Sequence, residues 1–232
     1  LASPDAFREK YQVGEDKGVL LFAVGDGNHS LASAKGHWEN VKASLSKEEC
    51  ANHPARFALV EVVNIHDEGI RFEPIHRVVF NVEPEGLLES MKEFFGSDNC
   101  SIDSLKSYER INELFTTSSS SKTAHIIGFI SKEGFGAVTI RNPHHNLEVG
   151  SLQTFLDKYI KDNRSVKIDY IHGEEVVEKL GSQAGNIGFY LPNMSKHDLF
   201  KTVILDGVLP RKTFSMGEAF EKRFYLESRK IV

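Results

Sequence analysis

The sequence predicts an α+β fold of mixed sheets with hairpins and helix crossovers. Three observations predict it. Apolar runs of strand length alternate with segments of helical spacing along the 232 residues. Two pairs of runs are joined by short turns, which is how antiparallel hairpins are written. The remaining runs are separated by helical segments, and this mixture of hairpins and crossovers favours α+β over a pure parallel sheet. No internal repeat of fixed period is present.

The elements follow in order. Gly18–Val24 (GVLLFAV) is an apolar run of a buried strand. After GDGNHS, the residues Leu31, Ala34, Trp38, Val41 and Leu45 recur at helical spacing. Next, two apolar runs flank HDEG, with Glu68-Gly69 as the turn, and read as a hairpin over residues 55–80. Pro74 has no N–H to donate and belongs at a bend or an edge. Pro84–Phe95 is a helix with its proline in the first turn. Ile102–Phe115 reads as another helix, and Ser118–Ser121 as a loop. HIIGFI and GAVTIR form a second hairpin around SKEGF. Helices over Leu152–Lys161, Glu174–Leu180 and Ser195–Ile204 alternate with strands over Val166–Ile171 and Asn186–Leu191. Ser195 and Asp198 have cap spacing. The loop LPRKTFSM leads to a final helix, for which Ser215 and Glu218 form a capping box. Three parts are expected: residues 1–83, a small α/β subdomain over 84–142, and a C-terminal part over 143–232 packed on the first.

Composition narrows the function. Hydrophobic residues are 40% and charged residues 26%, enough apolar surface to offset chain entropy. Lys+Arg 28 against Asp+Glu 33 leaves a net charge of −5, the wrong sign for a duplex nucleic-acid binder. No apolar run approaches the ~20 residues of a membrane span. Cys50 and Cys100 form no CxxC pair, and a reducing cytoplasm is the expected compartment. The chain opens at Leu1 and reads as a fragment of something longer.

Two segments have the residue types of an anion site. In GDGNHS, Gly25 and Gly27 permit backbone angles that aim N–H groups outward at the start of a helix. Asp26 there suits a metal ion or a base, and His29 suits phosphate contact or proton movement. The alternative is a tight turn in which Asn28 or Ser30 only caps the helix. In LPRKTFS, Arg211, Lys212, Thr213 and Ser215 put two cations and two hydroxyls just ahead of a helix. The alternative there is a solvated basic loop with a capping serine. In PIHR, His76 and Arg77 are neighbours on a strand, so they face opposite sides unless the strand bends. The ten histidines include no HExxH and no Cys/His spacing for zinc. Neither a GxSxG elbow nor a Walker P-loop occurs.

Together, FAVGDGNHSLASAK, ALVEVVNIHDEGIRFEPIHRVVF and LPRKTFSMGEAFEKRFYLESR resemble a widespread bacterial and archaeal family filed as a domain of unknown function. Its members carry a DGHHR-like motif, a strand ending in HR, and a late basic loop with a hydroxyl residue. They also usually extend further at the N-terminus. The DGHHR turn is similar to the phosphate-binding turn of the ParB/sulfiredoxin-like superfamily, which includes kinases of free L-serine. Asp26, Gly27 and His29 match the motif directly. Asn28 replaces its first histidine and Ser30 its arginine, which removes a bidentate phosphate contact.

The resemblance implies phosphoryl transfer from ATP, ADP or pyrophosphate to a small hydroxyl substrate, with Mg²⁺ held by Asp26; the net charge and the lack of a long apolar run point to neither nucleic acid nor membrane as partner. In that mechanism Asp26 and His29 are the catalytic pair. Gly27, Asn28, Ser30, His76, Arg77, Arg211, Lys212, Thr213 and Ser215 bind phosphate or substrate. The two loops are expected to converge on one cleft. The alternative is a phosphate or nucleotide sensor without catalysis, or an interaction module.

Overall fold

The strand Phe72–Phe80 belongs to the larger part of the chain and is flanked on both sides by antiparallel partners. The computed structural model describes residues 3–118 and 123–217. Its elements in order are α1 (Pro4–Tyr11), α2 (Asn28–Lys42), α3 (Lys47–Asn52), a 3₁₀ turn (Pro54–Arg56), β1 (Phe72–Phe80), α4 (Pro84–Phe95), β2 (Cys100–Leu105) and α5 (Tyr108–Ser118). Then come β3 (Ala124–Ser131), β4 (Gly134–Arg141), α6 (Glu148–Asp162), β5 (Lys167–His172), α7 (Glu174–Gly181), β6 (Asn186–Tyr190), α8 (Lys196–Asp206) and β7 (Phe214–Met216). The chain is an α+β protein. It divides into two units: Leu1–Val19 with Phe72–Ser215, and Leu20–Arg71 with Met216–Val232.

In the first unit the sheet order is β2-β4-β3-β6-β1-β5, and β7 also pairs with β1. Each of the five ladders along that order is antiparallel. Strands from residues 84–142 and from 143–215 thus lie in one sheet. Pro74 falls just before the β1–β5 ladder begins at Ile75, so its missing N–H breaks none of those pairings. The β3–β4 hairpin closes through Lys132 and Glu133, tightened by Ser131, whose hydroxyl accepts from the Glu133 N–H.

The period-2 pleat sends alternate side chains into two cores. Val79, Phe129, Ile187 and Phe189 pack with Leu87 and Met91 of α4 and Leu152 and Leu156 of α6. Val78, Ile130 and Tyr190 pack with Ile111 of α5 and Val177 of α7. Helix α4 forms where expected: Pro84 takes the first turn, and the Glu83 carboxylate accepts from the Glu85 and Gly86 N–H groups. Helices α1 and α8 meet through Tyr11 and Phe200, ring centroids 5.4 Å apart.

In the second unit α2 and α3 are joined by a short turn. A Ser46–Glu49 capping box starts α3, and Trp38 stacks on His53 at 6.0 Å. Ala55 is the one buried residue among the described residues of this unit.

Four sequence expectations are corrected. Residues 18–24 form no strand; Phe22 there is 69% exposed. Residues 57–71 form no first arm of a hairpin; Leu59 is 76% exposed and only Phe72–Phe80 is a strand. Both runs have β-type side chains but no ladder partner among the described residues, and composition alone cannot make a strand. Cys100–Leu105 is an edge strand, not the start of a helix; the alternation Cys100, Ser101, Ile102, Asp103 is short and Ser104 breaks it. Phe214–Met216 is strand β7, so Ser215 does not cap a helix. Ser118, expected to open the serine loop, is the last residue of α5; the rest of that loop, 119–121, and the expected final helix lie outside the described residues. No helix among the described residues is long and apolar enough to cross a membrane.

Candidate functional site

Arg77 lies opposite Tyr170 in the β1–β5 ladder, on the α4/α6 side of the sheet, and is fully buried. Burial of a guanidinium is tolerated only when its N–H groups are satisfied. Nε donates to Gln153 Oε1 at 3.1 Å. Nη1 donates to the Lys212 carbonyl at 3.0 Å and to the Ile75 carbonyl, and Nη2 to the Arg211 carbonyl at 3.1 Å. The guanidinium carbon sits 4.7 Å from the Tyr170 ring centroid. Burial pushes the Arg77 pKa down to about 10, which leaves it charged at neutral pH.

This arginine shapes the late loop. Lys212 adopts φ 54, a left-handed turn that lets consecutive carbonyls of Arg211 and Lys212 point at one cation. Thr213 is buried, and its hydroxyl donates to the Pro210 carbonyl at 2.6 Å. The side chains of Arg211 and Lys212 are left at the surface. Arg211 Nη2 donates to Asp157 Oδ1 at 2.9 Å, and its Nε donates to the Tyr170 hydroxyl. Those bonds hold the Arg211 pKa above its ordinary value, the Tyr170 hydroxyl first. Asp157 Oδ1 also accepts from Gln153 Nε2 at 2.8 Å, so one carboxylate oxygen links the buried arginine network to the exposed one.

Beside this network is a cavity of about 400 Å³ with His145, Gln153, Asp157, Thr202, Asp206 and Arg211 on its walls. The buried His125 Nδ1 pairs with Ser151 Oγ at 2.9 Å. Burial, then His145, pushes His125 down to about 4. The cavity mixes one permanent cation with two carboxylates and several hydrogen-bonding groups, a lining suited to a small polar molecule.

His76 faces the other side of the sheet, as the strand period requires. It is 1% exposed, so both residues of the pair are buried, one on each side of the sheet. Its Nδ1 accepts from the Leu191 N–H at 3.1 Å.

The Asp26–Ser30 turn belongs to the second unit and Arg211–Ser215 to the first. Gly27 occupies the N-cap of α2 with φ 72, and no side chain caps the helix. Neither Asn28 nor Ser30 serves as the cap; both are the first residues of the helix proper. Asp26 Oδ1 accepts from the Gly27 N–H at 2.8 Å. Asp26, Asn28, His29 and Ser30 are exposed. Among the described residues no three His, Cys, Asp or Glu gather to hold a metal ion.

Sequence reasoning missed Gln153, Asp157 and Tyr170. Gln153 and Asp157 stand four apart on α6 and share a face, which periodicity shows. Their link to Arg77 needed the fold.

Fold and site together define an α+β protein with a buried arginine that anchors a late cationic loop. The chain belongs to the DUF1015 family of proteins of unknown function, whose model it matches over residues 6–159. That match contains Asp26–Ser30 and His76–Arg77 and ends before the loop at 210–213. No curated protein and no solved structure gave a significant match.

Proposed function

We propose that the protein binds a phosphate ester at the start of α2 and moves a phosphoryl group from ATP, ADP or pyrophosphate to a small hydroxyl substrate such as L-serine. The observation that supports this best is the uncapped start of α2, with Gly27 left-handed and Asn28, His29 and Ser30 exposed behind it. The first N–H groups of a helix have no intrahelical acceptor, and their dipoles favour an anion. The similarity of this turn to the ParB/sulfiredoxin-like phosphate turn points the same way. Asp26 offers a single carboxylate, which fits a Mg²⁺ ion carried largely by donor phosphates. His29 would contact the phosphoryl group or take the acceptor's proton. On the first unit, Arg211 and Lys212 supply cations for a second anion position.

A second reading is a sensor that binds without turnover. Ser30, standing where the family motif has arginine, favours it, because a bidentate contact to the transferring group is absent. One titration separates the two. The chain is mixed with ATP, ADP or pyrophosphate, each with Mg²⁺ and L-serine, and phosphoserine and melting temperature are followed. Phosphoserine supports the transferase. A rise in melting temperature with the logarithm of ligand concentration, without product, supports the sensor. Neither response removes both and leaves an interaction module.

A further inference from the structure

Two polar atoms in the α5/α7 core have no hydrogen-bond partner among the described residues: His76 Nε2 and the Tyr190 hydroxyl. Their residues are 1% and 0% exposed. The β1–β6 ladder pairs Arg77 with Phe189, so His76 and Tyr190 fall opposite each other one step on. Their rings meet edge-on with centroids 5.6 Å apart.

The chemistry of the imidazole is set by its other nitrogen. Nδ1 accepts the Leu191 N–H and therefore carries a lone pair, not a proton. A neutral ring then has its hydrogen on Nε2, which is a buried donor in need of an acceptor. Burial also drives His76 down to about 4, so the neutral ring is the form at pH 7. The Tyr190 hydroxyl both donates and accepts, and it too is buried without a protein partner. Buried polar groups are nearly always satisfied by protein or by ordered water.

We propose that one internal water joins His76 Nε2–H to the Tyr190 hydroxyl. It accepts from the imidazole and exchanges a hydrogen bond with the phenol. The Tyr108 ring packs on Tyr190 with centroids 4.8 Å apart, and its hydroxyl donates to Glu174 at 3.2 Å, which brings further polar groups to the same core. The base of the Tyr190 side chain is closely packed: a Cβ at Gly128 would lie 2.4 Å from Ile111 Cγ2 and 3.3 Å from Tyr190 Cβ, and one at Gly188 would lie 2.7 Å from Val177 Cγ1. The bridge accounts for a histidine in the PIHR segment without any contact to substrate.

The test turns on a sign. Tyr190→Phe in the whole chain removes one partner of the water, and the melting temperature is expected to fall by about 2–4 °C. If the pair is dry, the same change deletes an orphaned hydroxyl and leaves the melting temperature unchanged or higher, which overturns the proposal. A second measurement needs no variant. Long-range ¹⁵N–¹H spectra of the unaltered protein should show His76 protonated at Nε2 only, with a cross-peak from that proton to a bound water. The opposite tautomer, or the absence of the water cross-peak, overturns it as well.

Discussion

Arg77 Nη2 donates to the backbone carbonyl of Arg211 at 3.1 Å, across 134 positions of sequence. One arginine is thereby buried to hold another at the surface. The arrangement works because a guanidinium is a planar fork with five donors, and here its donors reach Ile75, Gln153, Arg211 and Lys212. The exposed Arg211 then finds Asp157 and Tyr170 already in place.

Arg77→Lys should be costly although it keeps the charge. An ammonium cannot span the same acceptors, so at least two carbonyls are orphaned at ~1–3 kcal/mol each. The expected loss is about 2–6 kcal/mol in urea unfolding. Limited trypsin digestion should also show faster cleavage after Arg211 and Lys212, since their carbonyls are the ones released. An unchanged midpoint with unchanged cleavage would refute the anchoring role.

Arg211→Ala is expected to behave differently. The side chain is largely exposed, and exposed ion pairs contribute ~0–1 kcal/mol. Unfolding should therefore move little, whereas any anion bound by the first unit should weaken measurably in a titration with pyrophosphate. A large stability loss with unaltered binding would contradict the division of labour between the two arginines.

How much of this was legible beforehand depends on the residue. The period-2 rule placed His76 and Arg77 on opposite faces, and both the Pro84–Phe95 helix and the β3–β4 hairpin were readable from local chemistry. The anchoring of the 210–213 loop was not, because it joins residues that only the sheet brings together. The runs at 18–24 and 57–63 misled for a related reason. Their apolar residues announce a strand, but a strand exists only where another chain segment completes its hydrogen bonds. At the glycine turn the residue type was informative, since Gly27 does adopt the left-handed conformation.

Gly27→Ala probes that turn. A Cβ there meets nothing within 4 Å, so the penalty is conformational alone. It should be about 1 kcal/mol, with Gly27→Asn milder because asparagine tolerates the left-handed region. Thermal melting of the two variants checks the order. If the start of α2 binds phosphate, ligand-induced stabilisation should shrink in both.

Acid should destabilise the fold through two histidines. His76 and His125 are each pushed down to about 4, chiefly by burial, against ~6.5 in an unfolded chain. Between these values the unfolded state binds the extra protons. Stability is then whole above about pH 6.5 and falls as pH drops toward 4, with a slope approaching ~2.7 kcal/mol per pH unit while both contribute. Urea midpoints from pH 7.5 to 4.5 measure it. His125→Gln should flatten the dependence by about half, and an unaltered slope would show that His125 is not the group responsible.

A close approach of helix backbone to sheet backbone sets up the last prediction. At Gly181, the end of α7, a Cβ would lie 2.6 Å from the Gly188 backbone nitrogen and 2.8 Å from Ile130 Cγ2. Helix propensity alone favours Gly→Ala by ~1 kcal/mol. The clash works against it, and part of it is with backbone in a central strand, which cannot swing aside as a side-chain tip does. Overpacking of this kind costs ~1–3 kcal/mol, so the clash outweighs the propensity gain. Gly181→Ala should lower the urea midpoint, and Gly181→Val should lower it further. A raised midpoint for alanine would mean that α7 is free to move away from β6 and that their contact is looser than the side-chain packing of Val177 and Ile130 indicates.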